Sequence, residues 1–242
     1  MKIKYLNHAL FVALAIASQM VGSAYAAQKA AQLRENALLA AARQAADKDN
    51  LLGIRALEPK ALDATDAHAE RQGSRLTLHL KSGTTKIYAD RPECKIPDKE
   101  SKCQMYVLVA HANSLHIFVL AKLYYESAEY LLVDDAAGDE TSLRSFPRFS
   151  PSGGYALALL INDEQVGFAV QIWRREGHRF LLDWSGSPHL EGFYTTYALE
   201  HWAREGSIAL RAENRFESPK PNAITHFELD HLADGWKVVD AR

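Results

Sequence analysis

Histidine and carboxylate side chains are the groups in this sequence whose types and spacing could support catalysis or metal binding. His226, Glu228 and Asp230 alternate along one predicted strand, which would place their side chains on the same face. That arrangement could bind a metal ion weakly or exchange protons. Antiparallel sheets, however, commonly leave one polar face in solvent, and we favour this solvated strand face. His111 and His116 would point to opposite faces of a continuous strand, so only an intervening turn could bring them to one site.

The acidic segment 134–140 (DDAAGDE) combines carboxylate oxygens with a glycine, as calcium sites do. Its spacing does not match an EF-hand loop, and Asp and Gly are also the residues that hairpin turns prefer, so we predict a turn. The sequence contains no GxSxG, HExxH, Walker or glycine-rich dinucleotide motif, and the hydroxyls of segment 185–189 (SGSPH) indicate a loop. We therefore predict no catalytic residue, no metal ligand and no cofactor.

Aromatic residues are the more suggestive set for binding. Most of them should pack in the core, because aromatic side chains dominate the packing of sheets. Tyr194, Tyr197 and Trp202 differ because charged and polar residues flank them. Exposed Trp and Tyr side chains are typical anchors of protein interfaces. These residues are therefore the predicted partner-binding set.

The first 26 residues predict a signal peptide. Lys2 and Lys4 give a positive n-region, residues 9–17 form a short apolar run, and residues 24–26 (AYA) match the small-x-small cleavage pattern. The apolar run is shorter than the roughly 20 residues that span a bilayer. An uncleaved N-terminal anchor is the alternative. The sequence thus predicts a periplasmic or secreted protein without a membrane span after cleavage.

The cysteines support the same compartment. Cys94 and Cys103 bracket a charged stretch that contains a proline, and in an oxidising compartment two cysteines this close would form a disulfide. A metal pair is the alternative, but no nearby histidine would complete four ligands. A redox-active pair would more often be CxxC. We predict a structural disulfide.

Composition limits the remaining classes. The chain has 242 residues, of which 48% are hydrophobic and 24% charged, with a net charge of −2. These values describe a globular protein with one sizeable core and without the basic face that nucleic-acid binding requires.

Helical and strand signals divide the rest of the chain. Residues 28–48 are rich in alanine, leucine and glutamine and predict a helix, so 27–73 is predicted as this helix and a connector with one short strand. Residues 74–242 carry short strands and turns without interleaved helices, which predicts an antiparallel all-β domain. Unit starts near 104, 147 and 192 give a repeat of about 43 to 45 residues, the size of a four-stranded propeller blade.

One unit also carries a resemblance. Segment 149–157 (FSPSGGYAL), followed by Val170 to Trp173 (VQIW), resembles the FSPDG and IW pattern of TolB-type and WD40-like propeller repeats. Ser152 stands where those repeats usually carry aspartate. The resemblance implies a propeller-like meander of about three and a half units, and a β-sandwich is the alternative.

Two function classes remain open. Such repeats are binding scaffolds with different partners, so the absence of catalytic motifs and the export signal favour a scaffold that binds a protein partner. That partner would be an envelope component, or a toxin or hydrolase that the protein inhibits. The alternative is a hydrolase with a non-obvious site built from residues such as His226 and Glu228.

Overall fold

The computed structural model describes residues 29, 32–91, 102–125, 127–160, 169–188, 195–214 and 223–240. The predicted signal peptide, Cys94 and Tyr194 lie outside the described residues. Cys103 is described and buried. Its disulfide with Cys94 stays a prediction.

The chain begins with helices that pack against the sheets. Helix α1 (32–46) lies within the predicted helix, and its Ala42 is buried in the core. Two short helices follow in the predicted connector, α2 (Leu51–Arg55) and α3 (Glu58–Asp63). The connector prediction missed them, because helices of five and six residues are too short to show a helical period. Proline fits the first turn of α3, where its missing N–H has no intrahelical partner to lose.

In the residues that the structure describes, fifteen strands form four antiparallel sheets, each a meander of consecutive strands, and the predicted all-β class is confirmed. Sheet 1 contains β1 (Ala69–Gln72), β2 (Arg75–His79) and β3 (Thr85–Ala89). Sheet 2 contains β4 (Met105–Ala112), β5 (Ile117–Leu123), β6 (Ala128–Asp134) and β7 (Glu140–Leu143). Sheet 3 contains β8 (Arg148–Phe149), β9 (Tyr155–Leu159), β10 (Val170–Glu176) and β11 (Arg179–Gly186). Sheet 4 contains β12 (Thr195–Arg204), β13 (Ser207–Asn214), β14 (Ile224–Leu232) and β15 (Gly235–Asp240).

The predicted repeat coincides with these sheets. Unit starts near 104, 147 and 192 fall just before β4, β8 and β12, the first strands of sheets 2, 3 and 4. The incomplete first unit has three strands rather than the predicted two, because β1 pairs with β2 from within the connector.

The sheets pack face to face in chain order. One apolar cluster joins sheets 1 and 2, a second joins sheets 2 and 3 with α1, and a third joins sheets 3 and 4. Strand β9 shows why: Leu157 and Leu159 enter the third cluster, whereas Ala156 and Ala158 enter the second. Both faces of β9 are thus covered by neighbouring sheets, which is why its apolar run is continuous.

The turn between β8 and β9 is where the resemblance is strongest, and it differs from expectation in two ways. Ser152 is exposed as predicted, but Gly153 is buried. Gly153 has φ +72°, and a Cβ there would collide with Leu115 of the β4–β5 turn, so only glycine fits. The second difference is a carboxylate from outside the turn. Glu205, in the β12–β13 turn, accepts hydrogen bonds from the Ser150 hydroxyl (2.7 Å) and the Ser152 amide (3.3 Å).

Neighbouring sheets are joined through hairpin turns at one end of the strands. The Lys81 amide donates to the Asp135 carbonyl (2.7 Å), which links sheets 1 and 2. The Arg175 amide donates to the Gly154 carbonyl (2.8 Å), and its guanidinium donates to the Leu115 carbonyl (2.5 Å). These contacts fix Leu115 and the β8–β9 turn beside α1, where a cleft opens.

Candidate functional site

The predicted partner-binding aromatics separate in the structure. Tyr197 is 8% exposed, its hydroxyl donates to the Pro188 carbonyl (2.7 Å), and its ring packs edge to face on Phe227. Burial raises the pKa of the Tyr197 hydroxyl, as expected for a group that stays neutral in the core. Tyr197 therefore belongs to the core and does not form part of an exposed anchor patch. Trp202 is the described member of the set that reaches a concave surface.

That surface is a cleft of about 400 Å³ between α1 and β12. One wall is a stripe along α1 beside the face that buries Ala42, with residues at helical spacing from Gln32 to Arg43. The other wall comes from the segment before β9 and from β12, and the β4–β5 turn closes one end. Its lining is apolar at Leu39, Ala40, Leu115, Phe146, Pro147, Phe149, Pro151, Leu199 and Trp202, and polar at Gln32, Glu35, Asn36, Arg43, Ser114, Arg148 and Ser150. A volume of this size with mixed lining is typical of ligand-binding pockets, which occupy roughly 300–1,000 Å³.

The charged groups of the cleft are not equally satisfied. Glu35 is buried and accepts a hydrogen bond from the Ser114 hydroxyl (2.8 Å). The Arg148 guanidinium donates to Asp47 (2.5 Å) and to the Phe146 carbonyl (3.2 Å). Arg43 is exposed and has no ion pair with any described residue.

The charge of Arg43 is close enough to Arg148 to affect the pKa of its guanidinium. Burial lowers the pKa of the Arg148 guanidinium, and the positive charge of Arg43 acts in the same direction, against the attraction of Asp47. The two arginines therefore give this end of the cleft a positive character that Asp47 offsets only in part.

Trp202 contributes both a surface and a donor. Its ring lies 6.5 Å from the Tyr155 ring, at an interplanar angle of 23°, which holds the indole in place. The indole N–H is buried and finds no acceptor among the described residues. A buried donor without a partner costs free energy, so native structures seldom retain one without a reason.

His111 and His116 meet at one carboxylate. A 3-10 turn (Asn113–Leu115) interrupts the chain between them, and both rings approach Asp135 Oδ2, at 3.2 and 3.5 Å. Lys81 donates to the same oxygen (2.8 Å). This turn is the condition under which the sequence allowed the two side chains to share a site.

The pKa shifts of His111 and Asp135 indicate their protonation states. Burial lowers the pKa of the His111 ring below its ordinary 6.5 and outweighs the opposing effect of the hydrogen bond that the Asp135 carboxylate accepts from it. Burial alone would raise the pKa of Asp135, but Lys81 and His111 outweigh it and hold that pKa below its usual value. A neutral His111 beside an ionised Asp135 must donate its Nε2–H to the carboxylate. This cluster joins sheets 1 and 2 rather than forming a reactive centre.

The acidic segment is a hairpin turn, as predicted. The Asp134 carboxylate accepts hydrogen bonds from the Ala136 and Ala137 amides (3.0 and 2.7 Å) and closes the β6–β7 turn. Its oxygens also meet Arg175 and His178 of sheet 3, each at 3.1 Å. The hydrogen-bond and ion-pair partners of Asp134 that the structure describes are therefore groups of the protein itself. In the described part of the chain, no group of three or more His, Cys, Asp or Glu side chains could hold a metal ion.

The other candidate cluster is divided among separate partners. His226 pairs with Glu200 of β12 (2.8 Å), whereas Asp230 lies 4.0 Å from Arg204. More than half of the His226 side chain is exposed. This arrangement matches the solvated strand face that we favoured.

Sequence reasoning identified Trp202 but missed the rest of the cleft. The α1 stripe was visible in principle, because Gln32, Asn36, Ala40 and Arg43 follow a helical period distinct from that of the buried side. Their role depends on the neighbouring sheets, which a helical period does not reveal.

No helix among the described residues is long and apolar enough to cross a membrane. A comparison with known proteins finds no matching family model, no matching curated protein and no matching solved structure.

Proposed function

We propose that this chain is an exported scaffold, periplasmic or secreted, that binds a protein partner through the cleft between α1 and β12. The partner would be an envelope component, or a toxin or hydrolase that the protein inhibits. The proposal includes a propeller-like arrangement of the sheets, a cleaved signal peptide over 1–26 and the Cys94–Cys103 disulfide.

The observation that carries the proposal is the combination of side chains in the cleft. An indole ring, Trp202, and an exposed arginine without an ion pair among the described residues, Arg43, line one concave surface. Trp and Arg are the residue types most enriched in interface hot spots. The described histidine and carboxylate clusters, by contrast, form ion pairs within the fold, at Asp134 and Asp135, or lie on a partly exposed strand face, at His226.

Site-specific photocrosslinking in the native envelope tests this proposal. A photoreactive amino acid replaces Ala40, an exposed residue of the cleft, and in a control variant it replaces Gln72, an exposed residue of β1. We expect a defined crosslinked protein from the Ala40 position and none from the Gln72 position. Equal crosslinking from both positions, or none from Ala40, would contradict the proposal.

Enzyme assays test the opposite class. The purified mature protein is screened against generic esterase, phosphatase and peptidoglycan substrates, beside a His226→Ala variant. We expect no turnover from either protein. Turnover that the His226→Ala substitution abolishes would replace the scaffold with a hydrolase.

A further inference from the structure

The cleft is elongated along helix α1. Gln32 and Arg43 are eleven residues apart on α1, a distance of roughly 16 Å at a rise of 1.5 Å per residue. An extended chain covers that length with about five residues at 3.3 Å each. The stripe is therefore long enough to hold a short peptide segment along the helix.

Its two ends differ in charge. At the Gln32 end, Glu35 is buried and already hydrogen-bonded to Ser114, and the amides of Gln32 and Asn36 can pair with peptide groups. At the other end, Arg148 is engaged by Asp47, whereas Arg43 is unengaged within the described structure and exposed. A guanidinium binds carboxylates through paired N–H groups, so this end favours an anionic group.

The cleft also has an apolar wall. Leu39, Leu199 and Trp202 are among its lining residues. Removing apolar side chains from water against such a wall is favourable.

From this geometry we infer that the cleft binds an extended segment of the partner protein in which an apolar side chain lies next to a carboxylate, with the carboxylate at Arg43. This inference rests on the proposed function, because it specifies the chemistry of the partner at the same cleft. The segment lies along α1, its apolar side chain contacts Leu199 and Trp202, and its charge complements the arginine end.

A charge reversal tests the inference. The probes are fluorescein-labelled octapeptides with Leu or Phe at a fixed position, followed by Glu, Gln or Lys, and fluorescence anisotropy measures their binding to the purified mature protein. We expect the Glu peptides to bind up to about fivefold more tightly than the Lys peptides, which corresponds to the roughly 1 kcal/mol at the upper end of the range for one exposed ion pair. Arg43→Glu should reverse that order. Arg34→Glu, at an exposed position of α1 outside the cleft, should leave it unchanged.

The outcomes separate the inference from the function. Trp202→Ala removes the indole ring from the apolar wall, and it should weaken the binding of the Glu peptides when Arg43 is retained. No preference in the wild-type protein, or a preference for Glu peptides that survives Arg43→Glu, would overturn the inference. Such a result, combined with a specific crosslink from Ala40, would refute the chemistry of the segment and leave the scaffold function standing.

Discussion

Asp134 is the side chain through which the structure makes its strongest prediction about stability. It is 2% exposed, and it closes the β6–β7 turn through two backbone amides while it contacts Arg175 and His178 of the next sheet. Asp134→Ala removes all four interactions and leaves Arg175 without its carboxylate. We expect the free energy of unfolding to fall substantially.

The magnitude follows from the burial of each partner. Breaking a fully buried ion pair costs about 3–5 kcal/mol. Arg175 is 22% exposed and His178 is 56% exposed, so water recovers part of that cost. We estimate about 3 kcal/mol for Asp134→Ala, which corresponds to a decrease of about 6–12 °C in Tm for a domain of this size. Asp134→Asn retains one acceptor for the turn amides and should cost about 1–2 kcal/mol.

Urea denaturation followed by circular dichroism measures these values, provided that the m-value stays constant. Asp139→Ala is the matched control, because Asp139 lies exposed in the same turn and its loss should change stability by no more than about 0.5 kcal/mol. If Asp134→Ala unfolds within about 1 kcal/mol of the wild-type protein, the role of this carboxylate as a link between sheets is wrong. A double-mutant cycle with Arg175→Met should show a coupling of at least about 1 kcal/mol.

Three further predictions concern pH, the cysteines and the β8–β9 turn. Because burial lowers the pKa of His111, the unfolded chain binds a proton at a pH where the folded chain does not, so the free energy of unfolding should decline as pH falls below 6.5. His111→Gln should flatten that decline in urea titrations at several pH values. A variant with the same pH profile as the wild-type protein would contradict this prediction. Reduction or Cys94→Ser should lower the thermal midpoint while the β-sheet spectrum persists, and two free thiols in oxidised, denatured protein would refute the disulfide. Leu159→Asp buries a charge between sheets 3 and 4 and should cost several kcal/mol in urea denaturation. Ser152→Asp should lower the free energy of unfolding by about 1 kcal/mol through repulsion from Glu205, and adding Glu205→Gln should relieve that cost. Equal destabilisation by Leu159→Asp and Ser152→Asp would contradict this interpretation.

The sheets could be predicted from the sequence because their signals are local. Short apolar and aromatic runs with turn residues between them indicated β9, and Ala156 to Leu159 are buried on both faces as its continuous apolar pattern requires. Helices α2 and α3 were missed because each is only five or six residues long, too short for a helical period to show.

The side-chain clusters could not be predicted in the same way, because each one combines distant segments. His111 and His116 share Asp135 only because a 3-10 turn reverses the chain between them, and no strand periodicity encodes that turn. The cleft likewise needs α1, the segment before β9 and β12 together. Sequence patterns therefore identified Trp202 as a candidate without indicating what lies opposite it.

At the β8–β9 turn, the carboxylate expected at position 152 is supplied instead by Glu205 of the neighbouring sheet. The resemblance to propeller repeats predicts an aspartate in this turn, where a carboxylate would accept nearby backbone amides. Here the Ser152 hydroxyl accepts the Gly154 amide (3.0 Å), and the carboxylate comes from Glu205 in the adjacent sheet, which accepts the Ser152 amide and the Ser150 hydroxyl. An aspartate at 152 would place a second negative charge beside Glu205. A serine at 152 therefore fits this contact between sheets 3 and 4, because its hydroxyl accepts the Gly154 amide without adding a charge beside Glu205.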